Sequence, residues 1–404
     1  MKIKAVLMPG QGSAYVGMGK TLCEKYEIAR KTFEEASEAI SCDLKKMCFV
    51  GDFSEIVKTE NSQPAILTTS VAAFRVLQEN TDIKPHYYAG HSLGEFSALT
   101  CAEAIDLADA VRLVRKRGEL MATAVKDTEG LMTAVGKLPM EMVAEVCNRI
   151  SEPGNIVCIS NYNSAKQNVI SGNQAAVIEA EKQFSAMGAS LKRLNVSAPF
   201  HSPLMQPAAE EFKQVLKEYE FRKPIVPVLS NVTARPHVAE EIKEKLAEQI
   251  VSPVRWEESM EYLKEQKIRM AIEVGPGKVL KNLMRANFSN VKALSYDVSD
   301  DAFEIEKLVL LDKAVPFVSR CMGLAVASKN LCTDNSYYEQ HVVVPYRKLQ
   351  DMQEKIEKEE RQASMDEARD AKELLVEILN AKMVDKAEIE QKLNRLFIDT
   401  EVTV

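Results

Sequence analysis

The pentapeptide Gly90-His91-Ser92-Leu93-Gly94 constrains this chain more than any other stretch. It lies between the apolar segment His86-Tyr87-Tyr88-Ala89 and a small-residue segment running from Phe96 to Ala104. In that setting G-x-S-x-G predicts a serine on a sharp turn from strand into helix. The turn holds the serine backbone in a strained region, so its neighbours must lack a Cβ. The helix that follows points unpaired N–H groups and the positive end of its dipole at the hydroxyl, which suits a developing oxyanion. Alone, the motif is moderately specific, and a small-residue turn without chemistry is the competing reading.

The surrounding pattern repeats strand, tight turn and helix. Residues 3–8 read as a buried strand and Gly10-Gln11-Gly12 as the turn after it. Residues 18–40 and Pro64 to Leu77 carry helical periodicity, and Ile225–Ser230 and Met270–Val274 read as further strands. This predicts an α/β fold: a large α/β-hydrolase-like domain with a parallel sheet, over 1–130 and 197–298. Between its halves, residues 131–196 read β-α-β-β-α-β, the order of a ferredoxin-like α+β subdomain. Residues 299–404 form a C-terminal helical extension, with Pro316 as an expected kink. Within it, Ser364 with Glu367 and Asp385 with Glu388 are capping-box patterns. Its apolar positions, among them Leu375, Ile378, Leu379, Leu393 and Leu396, recur at helical spacing, so the extension is expected to wrap the core or dock a partner.

Bulk composition excludes several function classes. A net charge of −7 argues against a broad nucleic-acid surface. No apolar stretch is long enough to span a membrane, and the N-terminus lacks the pattern of a signal peptide. The eight cysteines are scattered, with no C-x-x-C pair and no zinc-like spacing to a histidine. A cytoplasmic protein with reduced thiols and no bound metal is the expectation.

A serine hydroxyl needs a base, and the chain has five histidines. His91 adjoins Ser92, but consecutive side chains on a tight turn diverge. His201 is the better candidate, because Ser197-Ala198-Pro199-Phe200-His201-Ser202-Pro203 is an irregular loop directly after an expected strand. The glycines near the N-terminus do not make a nucleotide site. Tyr15 stands where a dinucleotide fingerprint needs glycine, and Met18 where a P-loop needs lysine.

These residues fall into ordered blocks. They are Met8-Pro-Gly-Gln-Gly-Ser13 with Gly17-Met18-Gly19, Gly90-His-Ser-Leu-Gly-Glu95, Arg117 with Met121, and Asn161-Tyr-Asn-Ser164. Then come Ala198-Pro-Phe-His201, Gln249 with Pro253 and Trp256, and Glu273-Val-Gly-Pro-Gly-Lys-Val-Leu280. In this order, over about residues 1–295, the chain resembles malonyl-CoA:acyl-carrier-protein transacylases and the acyltransferase domains of polyketide synthases.

The resemblance implies roles. Ser92 is the nucleophile and His201 its base, oriented by a backbone carbonyl at Gln249 rather than by a carboxylate. The N–H groups of Gln11 and Leu93 form the oxyanion site. Arg117 clamps the malonyl carboxylate, although on residue pattern alone it reads as a solvated member of the basic run Arg112, Arg115, Lys116, Arg117. Met121 lines the same pocket, and Phe200 leaves little room for a substituent on C2 of the acyl group. Malonyl-CoA is the donor and the phosphopantetheine arm of an acyl carrier protein the acceptor, in ping-pong order and without a cofactor. Lys192, Arg193, Lys278, Lys281 and Arg285 are candidates for a basic patch facing an acidic carrier. The extension makes a polyketide or hybrid lipopeptide synthase a further candidate partner. The alternatives are a hydrolase that clears acyl groups from carriers and a catalytically idle docking subunit.

Overall fold

A computed structural model describes residues 3–124, 130–196, 198–288, 290–313, 317–359, 361–400, 402 and 404. Among them the strands are β1 Lys4–Met8, β2 Tyr87–Gly90, β3 Gly130–Gly136, β4 Val157–Ser164, β5 Gln167–Asn173, β6 Ser190–Arg193, β7 Val228–Leu229, β8 Met270–Glu273 and β9 Lys292–Ser295. The contacts divide the chain into two compact units, Lys2–Ile305 and Glu306–Val404.

The first unit is a mixed α/β structure built on a parallel sheet of order β7-β2-β1-β8-β9. β1 is central: Ala5 pairs with Tyr87 on one side and Ala271 on the other. Every residue of β1 and of β8 is buried, as a parallel sheet covered on both faces requires. Ala5 and Leu7 pack with Trp256, Met260, Leu280 and Met284, from helices Trp256–Glu265 and Val279–Asn287. Helix Leu93–Cys101 packs on β1, β2 and the long helix Thr59–Thr81. That long helix holds Pro64, which cannot donate to the carbonyl one turn back at Glu60. Arg115 Nη1 takes up that carbonyl instead, at 3.1 Å.

A second, antiparallel sheet has the order β4-β5-β3-β6. Thr133 of β3 pairs with Ile170 of β5 and with Arg193 of β6. Helices Met140–Ile150 and Gln174–Ala186 cover it, with Val135, Val143, Ile170, Val177 and Phe184 in the core between. The unit Glu306–Val404 has a core of its own, with Cys321, Leu349, Ile356, Leu375, Ile378, Leu379 and Leu396 buried. Its helix Met365–Ala381 opens on a reciprocal capping box between Ser364 and Glu367. Asp385 opens the next helix by accepting from the Ala387 N–H.

Several expected elements differ in extent. Residues 18–40 form two helices, Lys20–Lys25 and Glu27–Ala39, because Tyr26 between them is extended. The strand expected over 225–230 reduces to β7: Ile225 is exposed, and prolines at 224 and 227 have no N–H for a ladder. Pro316, and the expected boundary residue Ser197, lie outside the described residues.

The glycines around Ser92 are demanded by contact. A Cβ on Gly90 would lie 1.9 Å from the carbonyl carbon of Gly94, and one on Gly94 would lie 2.0 Å from the carbonyl oxygen of Met8. Backbone meets backbone at both places, so nothing flexible is available to yield. Gly94→Ala is expected to cost about 3 kcal/mol or more in unfolding free energy by overpacking. Gly136→Ala is the control: its nearest contact would be an ordinary 3.6 Å. Thermal and denaturant unfolding of the two variants checks this.

Candidate active site

Ser92 stands between β2 and helix Leu93–Cys101 with φ 52° and ψ −108°, outside the usual regions for a residue with a side chain. The strain is held by neighbours. The Ser92 N–H donates to Asn231 Oδ1 at 2.7 Å, and Asn231 Nδ2 donates to the Gly90 carbonyl at 2.6 Å. His201 also has a left-handed backbone, φ 56°.

Ser92 Oγ lies 2.7 Å from His201 Nε2, and His201 Nδ1 lies 2.8 Å from the Gln249 carbonyl oxygen. A carbonyl only accepts, so Nδ1 carries the proton and Nε2 offers its lone pair to the serine hydroxyl. Burial pushes the imidazole pKa down to about 3, the Arg117 charge adds to the depression, and the bond to the Gln249 carbonyl opposes it. His201 is therefore neutral in the folded protein and ready to accept a proton.

Arg117 is the surprise of the basic run. It is 1% exposed, while Arg112 and Lys116 are on the surface. Its Nη1 donates to Gln63 Oε1 and its Nη2 to Gln249 Oε1, both at 2.8 Å, and Nη2 is 3.4 Å from Ser92 Oγ. Burial lowers its pKa to about 10, with Glu95 acting in the opposite direction. Its Nε has no partner among the described residues, which leaves a buried donor to spare. Phe96 lies under the guanidinium, 5.4 Å from ring centre to Cζ.

Gln11, Ser92, Met121, Phe200, His201 and Lys192 line one cavity of about 460 Å³. Arg117 sits behind its wall, and Met121, also buried, takes a long contact from Gln63 Nε2. The Gln11 side chain is tied to Thr59 Oγ1 at 2.9 Å. His91 turns away from Ser92: its Nε2 meets Asn163 Oδ1 at 2.9 Å and its ring packs on Trp256. The Glu273 carboxylate accepts the Lys281 N–H at 2.8 Å at the start of helix Val279–Asn287, which supplies Val279, Leu280 and Leu283 to the cavity. A larger cleft, about 900 Å³, opens elsewhere, by Tyr162, Glu257 and Glu261, and contains neither Ser92 nor His201.

The structure thus brings Ser92, His201, Arg117, Gln249, Met121, Phe200 and Gln11 to one place. Of the expected basic patch it withdraws Lys281, while Lys192, Arg193, Lys278 and Arg285 stay exposed. Lys281 is largely buried and paired with Asp301 at 2.5 Å, and Arg193 is paired with Glu181. Arg285 donates to the Ala293 carbonyl. Lys192 reaches the cavity edge. Residue patterns alone missed Gln63, Glu95, Asn231 and the side-chain role of Gln249. The one available signal was polarity in an otherwise apolar setting, as at Gln63-Pro64-Ala65-Ile66-Leu67.

A serine–histidine pair on a strand–turn–helix, backed by a buried arginine, is an arrangement suited to acyl transfer through serine. Residues 6–302 match the acyl transferase domain family. A malonyl CoA-acyl carrier protein transacylase of Bacillus subtilis is 39% identical over 388 residues, covering 94% of this chain and 96% of that one. Another of that name, from Bacillus subtilis strain 168, is 45% identical over 300 residues, 73% of this chain and 93% of that one. Among solved structures, the malonyl CoA-acyl carrier protein transacylase of Coxiella burnetii superposes with a TM-score of 0.74 at 37% identity, covering 76% of this chain and 97% of that one. A malonyl-transacylase in complex with its type II PKS acyl-carrier protein gives 0.73 at 39% identity, covering 75% and 99%. The chain is an acyltransferase, and it belongs to the malonyl CoA-acyl carrier protein transacylase family. The 388-residue match takes in most of the helical extension, so that feature is shared with the first relative.

The low His201 pKa makes a stability prediction. The unfolded chain takes up a proton on this residue near pH 6.5, whereas the folded one does so only near pH 3. Between these values the unfolded state binds more protons, so stability falls as pH falls. From about pH 7.5 to about pH 5, the wild type should lose about 2 kcal/mol more than His201→Gln. Urea unfolding of both proteins across that range measures the difference.

Proposed function

We propose that this protein moves a malonyl group from malonyl-CoA to the phosphopantetheine thiol of an acyl carrier protein, through a malonyl ester on Ser92. The observation that carries this reading is the placement of a buried arginine Nη2 3.4 Å from the Oγ of a histidine-paired serine. A cation at that depth with a buried Nε–H to spare favours a substrate that brings the opposite charge.

In the first half-reaction His201 Nε2 takes the hydroxyl proton as Ser92 Oγ bonds to the thioester carbon. Charge that develops on the carbonyl oxygen meets the N–H groups of Leu93 and Gln11. The C–S bond then breaks, its electron pair stays on the CoA sulfur, and His201 returns the proton to that sulfur. In the second half-reaction the carrier thiol gives His201 its proton and attacks the ester carbon. The C–Oγ bond breaks and Ser92 recovers its proton. Both halves are written with the protein's own side chains and no cofactor. Arg117 holds the carboxylate throughout, with Met121 and Phe200 shaping the space beside it.

The similarity to a malonyl-transacylase solved with its type II PKS carrier supports the choice of acceptor and a role in fatty-acid or polyketide synthesis. The order β4-β5-β3-β6 supports a ferredoxin-like reading of the smaller sheet, and the turn at Ser92 supports an α/β-hydrolase-like reading of the larger one. Eight free cysteines support a reducing compartment, the cytoplasm.

Intact-mass analysis after incubation with malonyl-CoA should show a malonyl adduct that maps to Ser92, passes to a holo-carrier, and is absent in Ser92→Ala. Steady release of free malonate with no transfer to carrier would instead make the protein a hydrolase. Arg117→Ala should lower the preference for malonyl over acetyl by about a hundredfold, the value of losing charge-assisted hydrogen bonds in a buried site. An unchanged preference would remove Arg117 from the clamp.

A further inference from the structure

Glu95 is fully buried in the first turn of the helix that begins after Ser92. A glutamate at this position commonly reaches back to the N–H of the capping residue. Here Asn231 is interposed. It receives the Ser92 N–H itself, and its own N–H donates to Glu95 Oε2 at 3.0 Å. The same carboxylate oxygen accepts from Gln249 Nε2 at 2.7 Å. The other oxygen accepts from His237 Nε2 at 2.6 Å, and both members of that pair are shielded from water. The Asn231 N–H and the Gln249 amide are donors facing Glu95, and the His237 ring nitrogen completes the set, an arrangement suited to a carboxylate.

The partners of Glu95 reach every part of the chemistry. Gln249 turns its Nε2 to Glu95 and to the Ser92 carbonyl, its Oε1 to Arg117, and its main-chain carbonyl to His201 Nδ1. Asn231 holds the Ser92 N–H and the Gly90 carbonyl. The negative charge of Glu95 thus faces the positive charge of Arg117 across a single amide. Both groups are buried, and among the described residues neither has a fully charged partner of opposite sign at hydrogen-bond distance.

We propose that Glu95 is a positioning residue for acyl transfer: one buried carboxylate, anchored from behind by His237, that fixes the clamp arginine, the carbonyl that orients the base, and the turn that carries the nucleophile. The inference rests on the function proposed above. A glutamine at this position would retain the shape, but the charge opposite Arg117 disappears and the His237 ring must change tautomer to accept its NH2.

The experiment measures single-turnover acylation by malonyl-CoA and by acetyl-CoA, with folding followed by thermal unfolding. Glu95→Gln should acylate with malonyl at least about a hundredfold more slowly, as expected for an unpaired buried group beside a charge. Its malonyl-over-acetyl preference should narrow by about tenfold, because only malonyl uses Arg117. A role confined to folding would lower both rates alike and leave the preference unmoved. His237→Leu tests the same frame without removing the charge, and carries the test where Glu95→Gln does not fold. It should narrow the preference, and His237→Gln, which restores a donor, should recover part of the loss. Folded variants with an unchanged preference would overturn the proposal while the wild-type ester on Ser92 still forms. Absence of that ester in the wild type would overturn the proposed function itself.

Discussion

A full positive charge withdrawn from water is the constraint around which this site is built. Arg117 is 1% exposed and, among the described residues, has no carboxylate in direct contact. Desolvating a guanidinium is expensive, and the cost is met only if its hydrogens are satisfied and a countercharge stands nearby. The fold supplies both. Gln63, from helix Thr59–Thr81, and Gln249 each offer an oxygen, and Glu95 supplies the opposite charge one amide away. Because Gln249 also orients His201 and bonds the Ser92 carbonyl, the elements that hold the cation are the ones that align the serine hydroxyl and the imidazole.

For the proposed reaction the consequence is coupling between recognition and reactivity. The Arg117 charge is one of the influences that depress His201, after burial. An anionic acyl group seated on the guanidinium offsets that charge and favours the protonated imidazole that forms as Ser92 attacks. An uncharged acyl group brings no such relief. Selection for malonyl is then exercised during the bond-making step as well as on binding, the form of specificity that raises turnover rather than affinity alone.

Much of this was legible before the structure, and the division follows the range of the interactions. The turn at Ser92 is local: two glycines, a strand before it and a helix after it, all within one short segment. His201 was singled out by its loop, and its partnership with Ser92 came from the family's pattern. Gln63, Asn231 and Glu95 act across the fold. Glu95 meets Asn231 and Gln249 from 136 and 154 residues away, a distance at which no periodicity or spacing carries information. Lys281 misled for the same reason: it looks like a surface cation until Asp301 folds over it. The strand expected at 225–230 shortens to Val228–Leu229 on local chemistry, since Pro227 cannot donate to a ladder. The extension was legible as amphipathic helices with caps, and Glu306–Val404 does form a unit with its own core.

The central claim is that the carboxylate of the acyl group is held by Arg117 while its carbonyl faces the turn. A crystal structure of the malonyl-enzyme, trapped in the absence of carrier, tests it most directly. The account predicts an ester on Ser92 Oγ, its carbonyl oxygen within hydrogen-bond distance of the Leu93 and Gln11 N–H groups, and both carboxylate oxygens on the guanidinium of Arg117. A malonyl group whose carboxylate points to solvent, with Arg117 still bound only to Gln63 and Gln249, would contradict it.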